Sequence, residues 1–215
     1  FDPSLVFDFE QNYYRTGGTE TTLNPAVTHS RAGQATMTDS DGNIKWAPHN
    51  LLTYSEDFSD SSWLKSSMTV ESRNITPPSV ALSADTITVS SGGSIRTSAA
   101  VNVTAASHSV SFYVKKIIGR YFTIRAAFYT TNFTIGFDLE DVTAQSGGTI
   151  TDVGNDWLKC VVSWEPTGAD LSGFIYLYSP STLGSTSASA GNEFGLTGAH
   201  VYRSDLGGMA NNPAQ

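Results

Sequence analysis

The sequence predicts an all-β fold whose strands pack as a β-sandwich. Apolar and polar residues alternate with a period of two in several segments between Ser109 and Glu165, and no window of a dozen residues has a persuasive helical period. Successive side chains of a strand point to opposite faces, so this alternation is typical of half-buried antiparallel strands. Charged residues make up only 15% of the 215 residues, whereas Ser, Thr, Gly and aromatic residues, which suit strands and turns, are plentiful. With 39% apolar residues, the chain can bury a sizeable core.

Four strands of the predicted sandwich follow from the alternation alone. Their inward residues are Val110, Phe112 and Val114; Phe122, Ile124, Ala126 and Phe128; Phe133, Ile135, Phe137 and Leu139; and Leu158, Cys160, Val162 and Trp164. A break is predicted at residues 115–120, between the first of these strands and the second. Because Cys160 lies on an inward face, we interpret it as a small buried hydrophobe rather than a nucleophile.

The first 49 residues differ in character from the rest. Apolar residues at the start are followed by a Gly17-Gly18 turn, and a polar stretch then ends in a strong turn signal at residues 39–43, directly before Ile44 and Trp46. This segment is too short and too polar to bury a core alone. We predict an extended N-terminal arm over residues 1–49 that lies against the following domain or a partner subunit.

From Asn50 onward the sequence resembles a known family. The stretch NLLTYSEDFSDSSW, Asn50 to Trp63, resembles the opening of carbohydrate-binding-module-like domains of bacteriophage tail-fibre, tail and head-associated proteins. Further segments match that family in the right order, namely residues 31–44, Ala84–Ile87, Val110–Lys115, Phe137–Leu139, Trp157–Cys160 and Leu196–Val201. The usual ending of the family is replaced by residues 203–209, so residues 204–215 are predicted to be a C-terminal tail or the start of a further module.

The resemblance implies a jelly-roll sandwich over residues 50–203 and a structural protein of the phage virion. It implies attachment to carbohydrate on the host surface, contacts with other virion proteins, assembly as a homotrimer, and a location on the virion surface. Two alternatives stay open: a capsid or tail decoration protein that binds no sugar, and the accessory domain of a polysaccharide-degrading tail enzyme.

A sugar-binding face needs aromatic rings that stack on a pyranose and polar groups that bond its hydroxyls. The polar sides of the predicted strands supply six candidates, namely Tyr113, Tyr121, Arg125, Tyr129, Tyr176 and Tyr178. The alternative is that these strands are covered on both faces, which would make the tyrosines core or interface residues.

Other chemistry has little support in the sequence. The four histidines are widely spaced without a metal-ligand pattern, and no nucleophile elbow is present, so we predict no catalytic residue and no enzyme activity. No cofactor is expected, although the resemblance leaves room for one structural calcium near Glu56 and Asp57. The net charge of −8 and the scattered Lys and Arg residues argue against nucleic acid and against an anionic membrane surface as partners.

Overall fold

The computed structural model describes residues 5–8, 13–21, 36–38, 44–46, 50–79, 82–129, 131–168 and 171–205, and every regular element in these ranges is a β-strand. The chain divides into two compact units, residues 1–35 and residues 36–215. The predicted C-terminal segment lies outside the described residues after Asp205. In the described ranges there is no helix that is long and apolar enough to cross a membrane.

The described residues of the first unit form a small antiparallel sheet. Its strands are β1 (Leu5–Asp8), β2 (Tyr13–Thr16) and β3 (Thr19–Thr21), in that order. The turn predicted at Gly17-Gly18 joins β2 to β3, and both glycines have positive φ angles, 57° and 82°. Only residues without a Cβ adopt such angles freely, so the two glycines fix this hairpin.

The second unit begins with the pair β4 (Thr36–Thr38) and β5 (Ile44–Trp46), which are antiparallel with Thr38 opposite Ile44. The turn predicted at residues 39–43 lies outside the described residues, but the strands on both sides of it are paired as a hairpin requires.

Eleven further strands build the sandwich of the second unit. They are β6 (Trp63–Glu71), β7 (Asp85–Thr97), β8 (Val101–Asn102), β9 (His108–Ile118), β10 (Tyr121–Phe128), β11 (Asn132–Asp138), β12 (Thr143–Ala144), β13 (Gly148–Gly154), β14 (Trp157–Trp164), β15 (Ser172–Tyr178) and β16 (Glu193–Arg203).

Strand β7 belongs to both layers of this sandwich. Its first half, Asp85–Thr88, pairs with β16 in what we call the back sheet, whose order is β7-β16-β9-β14-β13. Its second half pairs with β15 at Ile95 and Arg96 in the front sheet, whose order is β7-β15-β10-β11-β12. In the back sheet, β16 lies between β7 and β9. In the front sheet, β15 lies between β7 and β10. This insertion of the last two strands between earlier ones is typical of a jelly roll. The predicted all-β jelly-roll sandwich is confirmed.

Aromatic side chains fill the space between the two sheets. The Phe112 ring of the back sheet lies 6.5 Å from the Phe122 ring of the front sheet, and Phe122 in turn lies 5.6 Å from Phe194. At the other end of the core, Trp164 of the back sheet lies 5.8 Å from Phe128 of the front sheet. All the predicted inward residues are buried except Phe133 and Ile135, which are partly buried and pack against the same core.

The break predicted at residues 115–120 is confined to Gly119 and Arg120 in the structure. Strand β9 continues through Ile118, and the chain turns at Gly119, which has a φ of 100°. The sequence suggested a break because the alternation is lost after Val114. It is lost because residues 116–118 reach the end of the sandwich, where they are exposed or nearly so and no longer face a core.

The back sheet is covered on its outer side as well. Ser109 and Ser111 are buried although their neighbours Val110 and Phe112 occupy the core, and the Ser109 and Ser163 hydroxyls lie 2.7 Å apart. Trp157 is fully buried and donates its indole N–H to the carbonyl of Thr76 at 2.9 Å, in the segment that leads into β7. Strand β9 is therefore buried on both faces along most of its length.

The buried side chain of Asn50 ties the start of the sandwich to its last strand. Its Nδ2 donates to the Ala199 carbonyl at 2.7 Å, and its Oδ1 accepts hydrogen bonds from the backbone N–H groups of Leu52 and Val201, both at 3.0 Å. The backbone N–H of Leu51 adds a bond of 2.9 Å to the Val201 carbonyl. Asn50 thus closes the sandwich by joining its first described residues to its last strand.

Candidate functional site

The outer face of the front sheet carries a group of aromatic and basic side chains, most of them partly exposed, that includes four of the six predicted residues. Ile124 and Ala126 of β10 and Ile175 and Leu177 of β15 point into the core, so the residues between them point outward. We call this surface the aromatic–arginine face and define it by Tyr121, Arg125, Phe174, Tyr176, Tyr178 and Arg96.

Strand register aligns the centre of this face in one row across three strands. Arg125 of β10 lies opposite Tyr176 of β15, and Tyr176 lies opposite Arg96 of β7. The Tyr176 ring is therefore flanked by an arginine on each neighbouring strand. Three side chains that are far apart in the sequence form a continuous polar and aromatic band across the strands.

The arginines lie over the rings of this face. The Arg96 guanidinium carbon is 4.8 Å from the Phe174 ring centre and 5.8 Å from that of Tyr176, while the Arg125 guanidinium carbon is also 5.8 Å from the Tyr176 ring centre. These distances lie within the range of cation–π attraction. The rings of Tyr176 and Tyr178 are parallel within 7°, with centres 6.3 Å apart.

Hydrogen bonds hold these side chains in place. Arg96 donates to the carbonyl of Thr97 at 2.9 Å. Tyr178 is only 7% exposed, and burial raises the pKa of its hydroxyl, while hydrogen bonds from Arg125 and Ser94 oppose that rise. The face is thus preorganised, because its rings and cations already contact one another.

One border of the face is covered by the loop between β15 and β16. Gly136 of β11 lies opposite Thr123, and a Cβ on Gly136 would come within 2.2 Å of the Gly184 backbone nitrogen. The same loop is tied down by Asn192, whose Nδ2 donates to the Ser179 carbonyl at 2.9 Å. This loop covers the β11 side of the outer face and accounts for the complete burial of Thr123.

The structure places three of the six predicted residues away from the centre of the face. Tyr113 is on β9 of the back sheet, half-buried beside Gly198 and with the Lys159 ammonium 5.7 Å from its ring centre. Tyr129 follows the end of β10 and is 88% exposed. Tyr121 points to the same side as Arg125 but lies at the far end of β10, with the Arg120 guanidinium 5.5 Å from its ring centre.

Two members of the face were not predicted from the sequence. Phe174 has the same outward parity as Tyr176 and Tyr178, so the alternation along β15 was a sufficient signal for it. Arg96 sits in a Ser- and Gly-rich stretch, and only the pairing of β7 with β15 brings it next to Tyr176. That pairing spans about eighty residues of sequence and is invisible to local pattern analysis.

The carboxylates considered for a structural calcium are bonded to backbone and hydroxyl groups. Glu56 accepts from the N–H and hydroxyl of Ser83 at 2.5 and 3.0 Å, and Asp57 accepts from the N–H and hydroxyl of Ser59 at 3.0 and 2.5 Å. Over the described ranges, no three His, Cys, Asp or Glu side chains come close enough to hold a metal ion. Glu56 and Asp57 therefore stabilise the loop before β6 through these hydrogen bonds.

A pocket of about 160 Å³ lies at the beginning of β6, away from this face. Its lining consists of Leu51–Thr53, Ser62, Trp63 and residues 97–101, none of which is charged. Cys160 is also remote from any opening, since it is fully buried and burial raises the pKa of its thiol. The interpretation of Cys160 as a buried hydrophobe is confirmed.

Comparison with known proteins finds no matching protein-family model and no matching curated protein. Among solved structures, the chain is similar to the enzymatically active domain of tailspike protein 4 of bacteriophage CBA120, with a TM-score of 0.46 and 14% identity over 71% of this chain and 21% of that one. It is similar to the CBM22-1 xylan-binding domain of Paenibacillus barcinonensis Xyn10C, with a TM-score of 0.47 and 14% identity over 74% and 96% of the two chains.

A third similar structure is TmCBM61 in complex with beta-1,4-galactotriose, with a TM-score of 0.43 and 13% identity over 72% of this chain and 99% of that one. The chain thus spans about a fifth of the tailspike domain and nearly the whole length of the two binding modules. Similarity at this level carries no inference about a ligand or an activity, and the fold assignment rests on the strand pairing described above.

Proposed function

We propose that this chain is a non-catalytic carbohydrate-binding protein that holds a glycan on the aromatic–arginine face. The observation that carries the proposal is the row Arg125–Tyr176–Arg96 across three strands, flanked by the rings of Phe174 and Tyr178. A pyranose presents an apolar face of C–H groups to such rings and a rim of hydroxyls to the neighbouring guanidinium groups.

The face suits an extended ligand better than a small compact one. Its two partly exposed rings, Phe174 and Tyr176, lie at alternate positions of one strand, about 7 Å apart by the rise of a β-strand. Successive saccharide units can therefore each meet a ring. Binding of this kind is weak at a single site and increases when many copies act together through effective concentration.

The biological setting we propose is the surface of a bacteriophage particle, with the chain attaching the virion to host glycans. The support is the family resemblance that begins at Asn50 and continues through Val110–Lys115 and Leu196–Val201. Assembly as a homotrimer alongside other virion proteins would supply the several copies that avidity requires.

A glycan array read with three proteins tests this proposal. Wild type should bind a defined set of glycans, and Tyr176→Ala should lose about tenfold in affinity, since a lost stacking contact of roughly 1.4 kcal/mol corresponds to a factor of ten. Tyr113→Ala is the matched control, because it removes a half-buried tyrosine from the other sheet. Equal binding by wild type and Tyr176→Ala would show that the glycan does not bind to this face.

A second candidate function is decoration or cementing of the capsid or tail. Ile117, Ile118 and Val142 are exposed by 38%, 53% and 39% at one end of the sandwich, where Arg120 links the β9–β10 turn to Asp138 and Asp141. Exposed branched apolar side chains suit a contact with another subunit. A folded protein that binds no glycan on the array would favour this function.

A further inference from the structure

We infer that the glycan held by the aromatic–arginine face is acidic, a polysaccharide whose repeating units carry carboxylate or sulfate groups. The inference rests on the proposed function, because it names the class of ligand for that same face. It depends on the two arginines of the central row rather than on the rings.

The first step is the positioning of the two cations. Arg96 contacts the rings of Phe174 and Tyr176, and Arg125 contacts the ring of Tyr176. A guanidinium has five N–H donors, and a ring contact consumes none of them. Side chains ordered in this way lose little freedom when they bind a ligand, and a planar guanidinium matches the two oxygens of a carboxylate or sulfate.

The second step is that neither arginine of the central row is paired with a carboxylate, as four other basic residues are. Lys115, Lys116, Arg120 and Arg203 each contact a carboxylate, at Asp156, Glu140, Asp138 and Asp205 respectively. Arg96 and Arg125 contact no carboxylate within the part of the chain that the structure describes. Although the protein has a net charge of −8, the described residues supply no carboxylate partner for these two cations.

The third step is the spacing of the two charges. Arg125 and Arg96 stand on the strands at either side of β15, so their backbones are separated by two strand spacings, about 10 Å. Their guanidinium carbons each lie 5.8 Å from the Tyr176 ring centre, so the two cations can meet separate anionic groups along one ligand chain. A chain that carries an anionic group on repeating units can pair with both, which favours a polymer over a single charged molecule.

The experiment measures binding to charged and neutral forms of the same polymer. The array carries polygalacturonate beside its fully methyl-esterified form and dextran sulfate beside dextran, together with neutral and acidic bacterial glycans. The double variant Arg96→Gln/Arg125→Gln is compared with Lys115→Gln/Lys159→Gln, a control that removes two positive charges from the back sheet and has the same net charge. Circular dichroism and the thermal midpoint establish that both variants are folded.

The inference predicts binding to the acidic member of at least one pair and at least tenfold weaker binding to its neutral partner. If the protein distinguishes polygalacturonate from its methyl ester, the anion that it recognises is a carboxylate. If it distinguishes dextran sulfate from dextran, the anion is a sulfate. Binding should fall with added salt, since salt screens charge pairs. It should fall at least tenfold in the arginine variant and be retained in the control.

Two other outcomes have separate meanings. Equal binding to charged and neutral glycans, or unchanged binding by the arginine variant, would overturn the acidic specificity and leave the carbohydrate-binding function standing. A folded wild-type protein that binds no polysaccharide of either kind would overturn the proposed function and the inference with it.

Discussion

Replacing Asn50 with Ala should cost about 3 kcal/mol of the free energy of unfolding. The side chain is 7% exposed and makes three hydrogen bonds, to the Ala199 carbonyl and from the N–H groups of Leu52 and Val201. Each such bond contributes about 1 kcal/mol net, and the loss is no smaller when buried partners are left unpaired. A small domain has about 5–15 kcal/mol in total, so the variant should be markedly less stable.

Urea unfolding followed by tryptophan fluorescence measures this loss, because Trp63, Trp157 and Trp164 are buried in the sandwich. The midpoint should fall while the slope of the free energy against urea stays constant, which indicates lost stability rather than a changed unfolded state. Asn102→Ala is the control, since Asn102 is exposed and its replacement should change stability by less than about 0.5 kcal/mol. A loss below about 1 kcal/mol for Asn50→Ala would refute the argument that this side chain closes the sandwich.

Three further predictions concern the acid range, the loop beside the face and the thiol. Burial raises the pKa of Asp138, but hydrogen bonds from Arg120 and from two backbone N–H groups outweigh burial and hold the pKa below its ordinary value of 3.8. The charged carboxylate therefore stabilises the fold above that pH and loses its contribution as the pH falls through the folded-state pKa. Urea unfolding should accordingly give Asp138→Asn a lower free energy of unfolding than wild type at pH 7, and the difference between the two proteins should be smaller at pH 3. A difference in free energy that does not change with pH would contradict this prediction. Gly136→Ala should lower the thermal midpoint, because the new Cβ would meet the Gly184 backbone in the loop between β15 and β16. Gly168→Ala is the control, because a Cβ there would have no atom within 4 Å and should leave the midpoint unchanged. Equal midpoints for the two variants would contradict the packing of the loop against Gly136. Cys160 should not react with a thiol reagent in the native protein and should react once in urea, and rapid native reaction would show that the core opens.

The alternation predicted strands in which the outward side chains are polar. Strands β10 and β14 alternate in burial over most of their length, and the buried positions match the prediction at Phe122, Ile124, Cys160 and Val162. Strand β9 was predicted too, because its outward residues Ser109 and Ser111 are polar although they are buried. Strand β16 is buried at nine consecutive positions, so it has no alternation, and only its family resemblance pointed to it. Periodicity reports an alternation of polar and apolar side chains, and it therefore fails in β16, where the sequence has no such alternation.

The candidate site was predictable only along single strands. Tyr176 and Tyr178 share a strand and a parity, so their common face follows from local sequence. Whether Tyr113 joins them depends on which sheet β9 enters, and the pairing of β9 with β14 and β16 puts it in the back sheet. Arg96 joins the face for the same kind of reason, because long-range pairing brings it beside β15.

The most direct test of the central claim is to observe which rings a bound glycan touches. Protein labelled with ¹³C in Tyr and Phe rings is titrated with the best glycan from the array, and ring chemical shifts are followed by NMR, with assignments from single substitutions. We expect the ring chemical shifts of Phe174, Tyr176 and Tyr178 on the front sheet to change and those of Tyr113 on the back sheet to stay the same. Shifts confined to Tyr113, with the front-sheet rings unchanged, would contradict it.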